Sequence, residues 1–349
     1  MELYELKNRI LPPDLTAAGE ACRRWDSLAK PLGSLGAMEE AVVRMTAATG
    51  DVDPEINRRV LLVFCADNGV VAQGVSQCGS EVTAAVARAL AKGESTVCHM
   101  ARAARCAVQP VDMGILDFPG CKGLVSCRIR NGAGDISRGP AMTRDECLSA
   151  IRAGAGLAMV QEADILAVGE MGIGNSTTAA AVTSVLLGLA PEKLAGRGAG
   201  LSDAGLARKI EAIRSAIEVN KPDPEDPIDI LAKVGGLDLA AMCGAFLGAA
   251  LCRVPVLIDG AISAAAALCA VRLFPEAKTA MLASHVSAEP AGRPLLKALG
   301  LHPLLDAGLR LGEGSGAVAA LPLLDLALAV YRSGHDFKAL GIKAYTPQS

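Results

Sequence analysis

Aromatic rings are scarce in this 349-residue chain: one Trp, three Tyr and five Phe make up 3% of it. With a net charge of only −3, that scarcity argues against a nucleic-acid surface, which needs a basic stripe or stacking platforms. The eleven cysteines include no CxxC pair, and His99, His285, His302 and His335 give no HxxxH, so neither a structural zinc nor any other metal site is expected. A disulfide framework is implausible at this length and density, and reduced thiols in a cytoplasm are the expectation. The start MELYELKNRI has no apolar core of a signal peptide. The uncharged run 171–191 approaches the length of a membrane span but carries Asn175, Ser176, Thr177, Thr178, Thr183 and Ser184, so it reads as a buried loop and helix, with no membrane expected.

Half the chain is hydrophobic (51%), only 20% is charged, and 37 residues are Gly. Length and composition suit about two domains, or one large domain with an appendage, and exclude disorder. Gly and Ala must then do what rings do elsewhere, letting helices pack closely and bringing backbone up to a ligand.

Short apolar runs end in polar or Gly-rich turns at 60–66 before Asp67, 107–111 before Asp112, 164–168 before Glu170, 254–258 before Asp259 and 279–283 before Ser284. Helical patterns separate them at 81–92, 143–162, 204–219 and 239–252, and helix is expected again after the Pro-rich turn 220–227. Non-alternating strands alternating with helices predict an α/β fold: a doubly wound, mainly parallel sheet with helices on both faces. Its ligand crevice lies at the carboxyl ends of the strands. Residues 1–58, with helices at 15–28 and 36–48, and residues 321–349 are expected to form a small helical domain beside a large one over 59–320.

Four segments carry chemistry. In Gly169-Glu170-Met171-Gly172-Ile173-Gly174-Asn175-Ser176-Thr177-Thr178, glycines lead off a strand into a helix start, an anion site suited to one phosphate. The Walker pattern fails because no Lys follows Gly174, so a nucleoside triphosphate with magnesium is disfavoured. The alternative is a tight turn needing Gly for geometry alone. In Arg310-Leu311-Gly312-Glu313-Gly314-Ser315-Gly316, a carboxylate sits among glycines and apolar neighbours, a setting that helps a carboxyl accept a proton at neutral pH. A solvated loop Glu is the alternative there. Asp259, followed by Gly260, and the serines of Ser284-His285-Val286-Ser287-Ala288-Glu289 suit ribose hydroxyls, though a strand-end Asp is as readily a helix cap. Gly196 to Asp203, followed by Lys209, could add a cation to the phosphate site, unless Lys209 is an ordinary exposed helical lysine. No GxSxG elbow and no Asp-Asp-Thr-Gly-Gly loop occurs.

As an ordered set over residues ~25 to ~330, these segments resemble the nicotinate-nucleotide–dimethylbenzimidazole phosphoribosyltransferases. The matching stretches also include Lys30-Pro31-Leu32-Gly33-Ser34-Leu35-Gly36, Ala66-Asp67-Asn68-Gly69-Val70, Gly74-Val75-Ser76, Glu81-Val82-Thr83, Gly235-Gly236-Leu237 and Pro303-Leu304-Leu305-Asp306. The resemblance implies a reaction without metal or cofactor, in which nicotinate mononucleotide gives its phosphoribosyl group to a planar aromatic base. It implies Glu313 as general base. It implies Glu170, Gly172, Gly174, Asn175, Ser176, Thr177, Gly198, Lys209, Asp259, Ser287, Gly314, Ser315 and Gly316 around the nucleotide, and Ser76, Asn68 and Leu311 at the acceptor. Relatives are homodimers, and a homodimer or a heterodimer with a paralogous chain is expected.

The chain departs from the family pattern mostly on the acceptor side. Asn68 replaces the usual His, Cys78-Gly79 an aromatic-Pro pair, Ala84-Ala85 the usual Gln segment, and Ala291-Gly292 a Gly-His. A phenol or p-cresol acceptor, or a non-catalytic partner subunit, are the alternatives these departures raise.

Overall fold

The computed structural model describes residues 9–345. The outermost parts of the expected terminal helical unit, 1–8 and 346–349, lie outside the described residues. In chain order the helices are α1 (Leu15–Ser27), α2 (Ala37–Thr49), α3 (Glu81–Lys92), α4 (Thr96–Ala103), α5 (Arg144–Met159), α6 (Asn175–Leu187), α7 (Asp203–Asn220), α8 (Pro227–Val234), α9 (Leu237–Leu251), α10 (Ala261–Leu273), α11 (Gly292–Leu299) and α12 (Ser315–Ser333). The strands are β1 (Arg59–Ala66), β2 (Ala107–Gly114), β3 (Val125–Ser126), β4 (Ile165–Met171), β5 (Val256–Ile258) and β6 (Met281–Ala283). They form one sheet in the order β3-β2-β1-β4-β5-β6, and every pairing is parallel.

Strand side chains alternate between two covered faces, which is why the runs read as continuously apolar. Leu62, Phe64, Leu166, Val168 and Ile258 join the core under α5, α6, α9 and α10. Leu61, Val63, Cys65, Ala167 and Leu257 join a second core with Trp25, Val42, Met45, Val97, Leu324 and Tyr331. The terminal helices therefore share a core with the sheet. Trp25 of α1 packs on Tyr331 of α12 with ring centroids 5.1 Å apart, and buried Arg59 of β1 reaches Asp325 of α12, its Nη1 donating at 3.0 Å.

Small residues replace rings between α5 and α9. A Cβ on Gly154 would lie 1.9 Å from Ala241 O, and one on Gly244 would lie 1.9 Å from Ile151 O. Side chains of any size would hold these backbones apart.

Several boundaries differ from the sequence expectation. β2 and β4 run on through Asp112 and Glu170, while β5 and β6 are three residues each, β6 starting only at Met281 because Pro275–Ala280 forms a 3₁₀ turn. α12 begins at Ser315 and not at Leu321, passing through Pro322. α12 is also long and apolar enough to cross a membrane, but 56% of its most apolar 18-residue stretch is buried within the protein, which makes it a core helix. The uncharged run at 171–191 is a buried loop and helix, as its polar residues suggest.

The chain moves from β1 to β2 on one side and to β4 on the other. That switch of direction opens a crevice at the carboxyl ends of β1 and β4, the position where doubly wound sheets bind ligands.

Candidate active site

A cleft of about 290 Å³ occupies this crevice. Its rim and walls come from the loop after β1 (Val75, Ser76, Cys78), α3 (Val82, Val86), β4 and the loop into α6 (Glu170 to Ser176), the turn before α7 (Arg197 to Leu201), the ends of β5 and β6, and the loop before α12 (Arg310 to Glu313). Val75, Val82, Val86, Met171, Ile173 and Leu311 supply aliphatic surface, and among the described residues no Phe, Tyr or Trp lines the cleft.

Glu313 is aimed by strained backbone. It has φ +59°, and its neighbours Gly312 and Gly314 have φ +85° and +84°. A non-Gly residue in that region costs of the order of 1 kcal/mol or more and is held by its surroundings. Here its N–H donates to Glu170 O at 3.1 Å. Gly169 and Gly314 let the two loops touch, since a Cβ on Gly169 would lie 2.4 Å from Gly314 N. Glu313 is 8% exposed, and its Oε2 accepts from Val97 N–H in the first turn of α4 at 3.3 Å.

Asp259 holds the same loop from below. Its carboxylate accepts from the N–H groups of Gly314 (3.2 Å), Gly316 (2.7 Å) and Ala317 (3.1 Å). It thereby caps α12 from a distant strand, where the sequence left ribose contact and helix cap both open. Burial pushes Asp259 up to about 6 against these bonds. Gly314, Ser315 and Gly316, expected around the nucleotide, do not line the cleft; their segment is buried, and the N–H groups of Gly314 and Gly316 are already used by Asp259. Gly316 instead makes room for His285, whose Nδ1 would lie 1.9 Å from a Cβ there.

The start of α6 is built differently. Gly172, Gly174, Asn175 and Ser176 face the cleft, and Gly174 adopts φ +95°. Lys209 of α7 comes up behind them, its Nζ donating to Ser176 Oγ and Gly196 O at 2.9 Å each. With 0% exposure it is not the ordinary surface lysine that the helical pattern allowed. Burial pushes it down to about 8, opposed by nearby Glu289. Gly198 sits over the pair, where a Cβ would be 3.1 Å from Ser176 Oγ.

Behind the glycine loop lies a group of buried carboxylates. Asn175 Nδ2 donates to Glu170 Oε2 and to Asp238 Oδ2, the latter at 3.1 Å. Burial, then the charges of Asp238, Asp259 and Glu313, hold Glu170 well above the usual carboxylate range, against the Asn175 bond. Burial likewise pushes Asp238 up to about 6. His285 is pushed down by burial and so is neutral at pH 7.

Of the remaining expected residues, Ser76, Leu311 and Ser287 line the cleft. Thr177 and Asn68 do not. Asn68 lies beneath the glycine loop, where a Cβ on Gly236 would be 2.5 Å from its Oδ1, and both its side-chain polar atoms are buried without a partner. Asp67 and Asp112 brace loops, accepting from Leu116 N–H and from the N–H groups of Gly114 and Ile115. Sequence reasoning did not assign Asp238, Glu289 or the Val97 N–H to the site. Asp238 has a signal: it is the one charged residue between Val234 and Leu251 and follows Gly235-Gly236. Among the described residues no group of three acidic, His or Cys side chains suits a metal ion.

A parallel sheet with two glycine-led helix starts and a guarded carboxylate at its switch point defines a glycosyl- or phosphoryl-handling α/β enzyme. A family model described as Phosphoribosyltransferase matches residues 10–342, and the chain belongs to that family. It is 45% identical over 331 residues to the nicotinate-nucleotide–dimethylbenzimidazole phosphoribosyltransferase of Acetivibrio thermocellus, covering 93% of this chain and 94% of that one. It is 44% identical to the enzyme of the same name from Ruminiclostridium cellulolyticum, covering 99% of both chains. The crystal structure of CobT from Thermus thermophilus superimposes with a TM-score of 0.89 at 40% identity, over 94% of this chain and 99% of that one.

Proposed function

We propose that the protein transfers the 5-phosphoribosyl group of nicotinate mononucleotide to an aromatic base of the 5,6-dimethylbenzimidazole type, giving an α-ribazole 5′-phosphate and nicotinate. One observation carries this reading: a single cleft brings a buried lysine and a glycine-led helix start, suited to one phosphate, together with a backbone-aimed carboxylate and an aliphatic wall suited to a flat ring.

In this reading the phosphate sits on the α6 start, with Ser176 and Lys209 countering its charge. A ring nitrogen of the base attacks C1′, the C1′–N bond to the pyridinium breaks, and its electron pair neutralises the departing ring. No general acid is needed. Glu313 takes the proton from the second ring nitrogen of the base, and the Val97 N–H keeps the carboxylate oriented. Ser287 and the β5 and β6 ends face the ribose. The acceptor meets Ser76, Val82, Val86 and Leu311.

The relatives' names carry dimethylbenzimidazole, which supports that acceptor over the phenols suggested by Cys78-Gly79 and Ala84-Ala85. The retained Glu313 supports an enzyme over a binding subunit. A homodimer, as the resemblance implies, is part of the same proposal, and a monomer by light scattering would remove it. Incubation with nicotinate mononucleotide and 5,6-dimethylbenzimidazole, benzimidazole, adenine, phenol or p-cresol, followed by product mass, tests the whole. Fastest turnover with the benzimidazoles is expected. No ribotide from any of the five acceptors would overturn the reading.

A further inference from the structure

The cleft holds more buried acid than a one-base reaction uses. Glu170 at the end of β4 and Asp238 in the first turn of α9 are hydrogen-bonded to the same atom, Asn175 Nδ2. Two hydrogen bonds to one nitrogen leave the acceptor oxygens at most about 6 Å apart. Like charges that close, away from water, are not both ionised cheaply. Asp238 is fully buried, and its Oδ1 is fixed by Leu239 N–H at 2.9 Å.

The surroundings deepen the conflict. Asp259 from β5 and Glu313 from the loop before α12 add negative charge at Glu170, and Asp67 from the loop after β1 adds it at Asp238. The buried Cys65 thiol of β1 lies in the same field, and the neutral Asn68 amide packs against the Gly236 turn beside Asp238. Lys209 is engaged with Ser176 and Gly196 instead. Glu170 is also close to the loop that carries the base, for a Cβ on Gly312 would lie 2.5 Å from its Oε1. An ionised Glu170 would therefore oppose an ionised Glu313.

We propose that Asp238 is a positioning residue for the transfer: bridged to Glu170 through the Asn175 amide, it makes the pair hold one proton, so that Glu170 faces the nucleotide as a neutral hydrogen-bond donor and Glu313 remains the ionised base. The proposal rests on the phosphoribosyl-transfer reading. It differs from the alternative in which Glu170 is a carboxylate that steadies positive charge developing on the ribose.

Infrared difference spectroscopy on the intact protein separates the two without turnover. The carbonyl band of a protonated carboxylic acid is expected in the wild type at neutral pH and is absent from Glu170→Gln. In Asp238→Asn the band should be lost at a pH lower by about a unit, because one neighbouring charge has gone. In kinetics, Glu170→Gln, whose amide also donates, should lower kcat far less than Glu313→Gln does and should abolish the alkaline fall in kcat that Glu170 ionisation causes. Asp238→Asn should move that fall to lower pH, and the double variant should again lack it. Asn175→Ser, which breaks the bridge and leaves both acids, should shift it too, and serves if Asp238→Asn does not fold. A merely structural Asp238 would change kcat or stability without moving the limb. Absence of the band, or a Glu170→Gln variant as damaged as Glu313→Gln, would overturn the proposal. A band without any transfer activity would instead overturn the enzymatic reading and leave the shared proton standing.

Discussion

Two glycine-led helix starts face the same crevice, and they are used in opposite ways. At α6, Gly172-Ile173-Gly174 leads into a terminus whose Ser176 is backed by buried Lys209. At α12, Gly312-Glu313-Gly314 leads into a terminus whose N–H groups are already taken by the Asp259 carboxylate. A helix N-terminus attracts one anion. The first leaves that place for a ligand, and the second fills it with the protein's own acid, which frees the loop to present Glu313. Similar local sequences thus yield a binding element and a catalytic one, and the difference lies in which distant residue arrives at the helix end.

Removing the acid of the α12 loop gives the largest expected effect on chemistry. Glu313→Gln keeps the size and the Val97 contact but cannot take a proton. It should lower kcat by about 10²–10⁴-fold while the dissociation constant for nicotinate mononucleotide, by calorimetry, stays near wild type. A kcat within a few-fold of wild type would remove Glu313 as the base. Asp259→Ala comes next. It strands three backbone N–H groups and releases the strained loop, so thermal or denaturant unfolding should show a loss of about 2–4 kcal/mol, with activity falling because Glu313 is no longer aimed. If α12 did not depend on Asp259, stability would hold.

The same contrast separates what was legible in the sequence from what was not. Glu170, Gly172 and Gly174 stood out because an acid beside a glycine turn at a strand end has little packing reason to be there, and Glu313 stood out because glycines flank its carboxylate. Helix α3 could be placed to the residue because Gly93 ends it. The task of Asp259 could not be read, since its partners lie more than fifty positions away and a strand-end Asp caps helices or binds ribose equally well. Lys209 could be read as a cation for the phosphate site or as a surface lysine, because its polarity says nothing of the 196–200 turn folded over it. α4 and its Val97 N–H were missed since Thr96–Ala103 is too short and mixed to show a period. Pro322, common in a first turn, hid the earlier turns of α12. Asp238 fell just outside the expected helix, and only the assembled site gives it Asn175 and Glu170 as neighbours.

At the α6 start the effects should be on binding. Lys209→Met should weaken nicotinate mononucleotide by about 10–100-fold, with kcat less affected. Because burial lowers Lys209 from its ordinary 10.5 to about 8, the free protein loses this ammonium as pH rises through about 8. Affinity for the dianionic phosphate should therefore be full between about pH 6, where a phosphate monoester takes its second charge, and about 8, and should fall above that. For stability the sign is reversed: the cost of burying the ammonium is present below about 8 and disappears as pH rises toward 10.5, so Lys209→Met should not destabilise the protein near neutrality. An affinity that falls above pH 8 equally in wild type and Lys209→Met would assign the titration to another group.

Ser176→Ala carries the smallest effect and discriminates most finely. The hydroxyl accepts from Lys209 and faces the cleft, so it can act on the phosphate through the lysine or by donating its own proton. Loss of one such hydrogen bond should weaken nucleotide binding by about 3–10-fold. If Ser176 works only by orienting Lys209, the double variant Ser176→Ala/Lys209→Met should bind as Lys209→Met alone does. If it also donates to the phosphate, the two losses should multiply, as for independent contacts. The lysine also holds Gly196 O, which fixes it without the hydroxyl, so the multiplying outcome is expected. A non-additive cycle would make the α6 start resemble α12, with its polar groups serving the fold first and the ligand second.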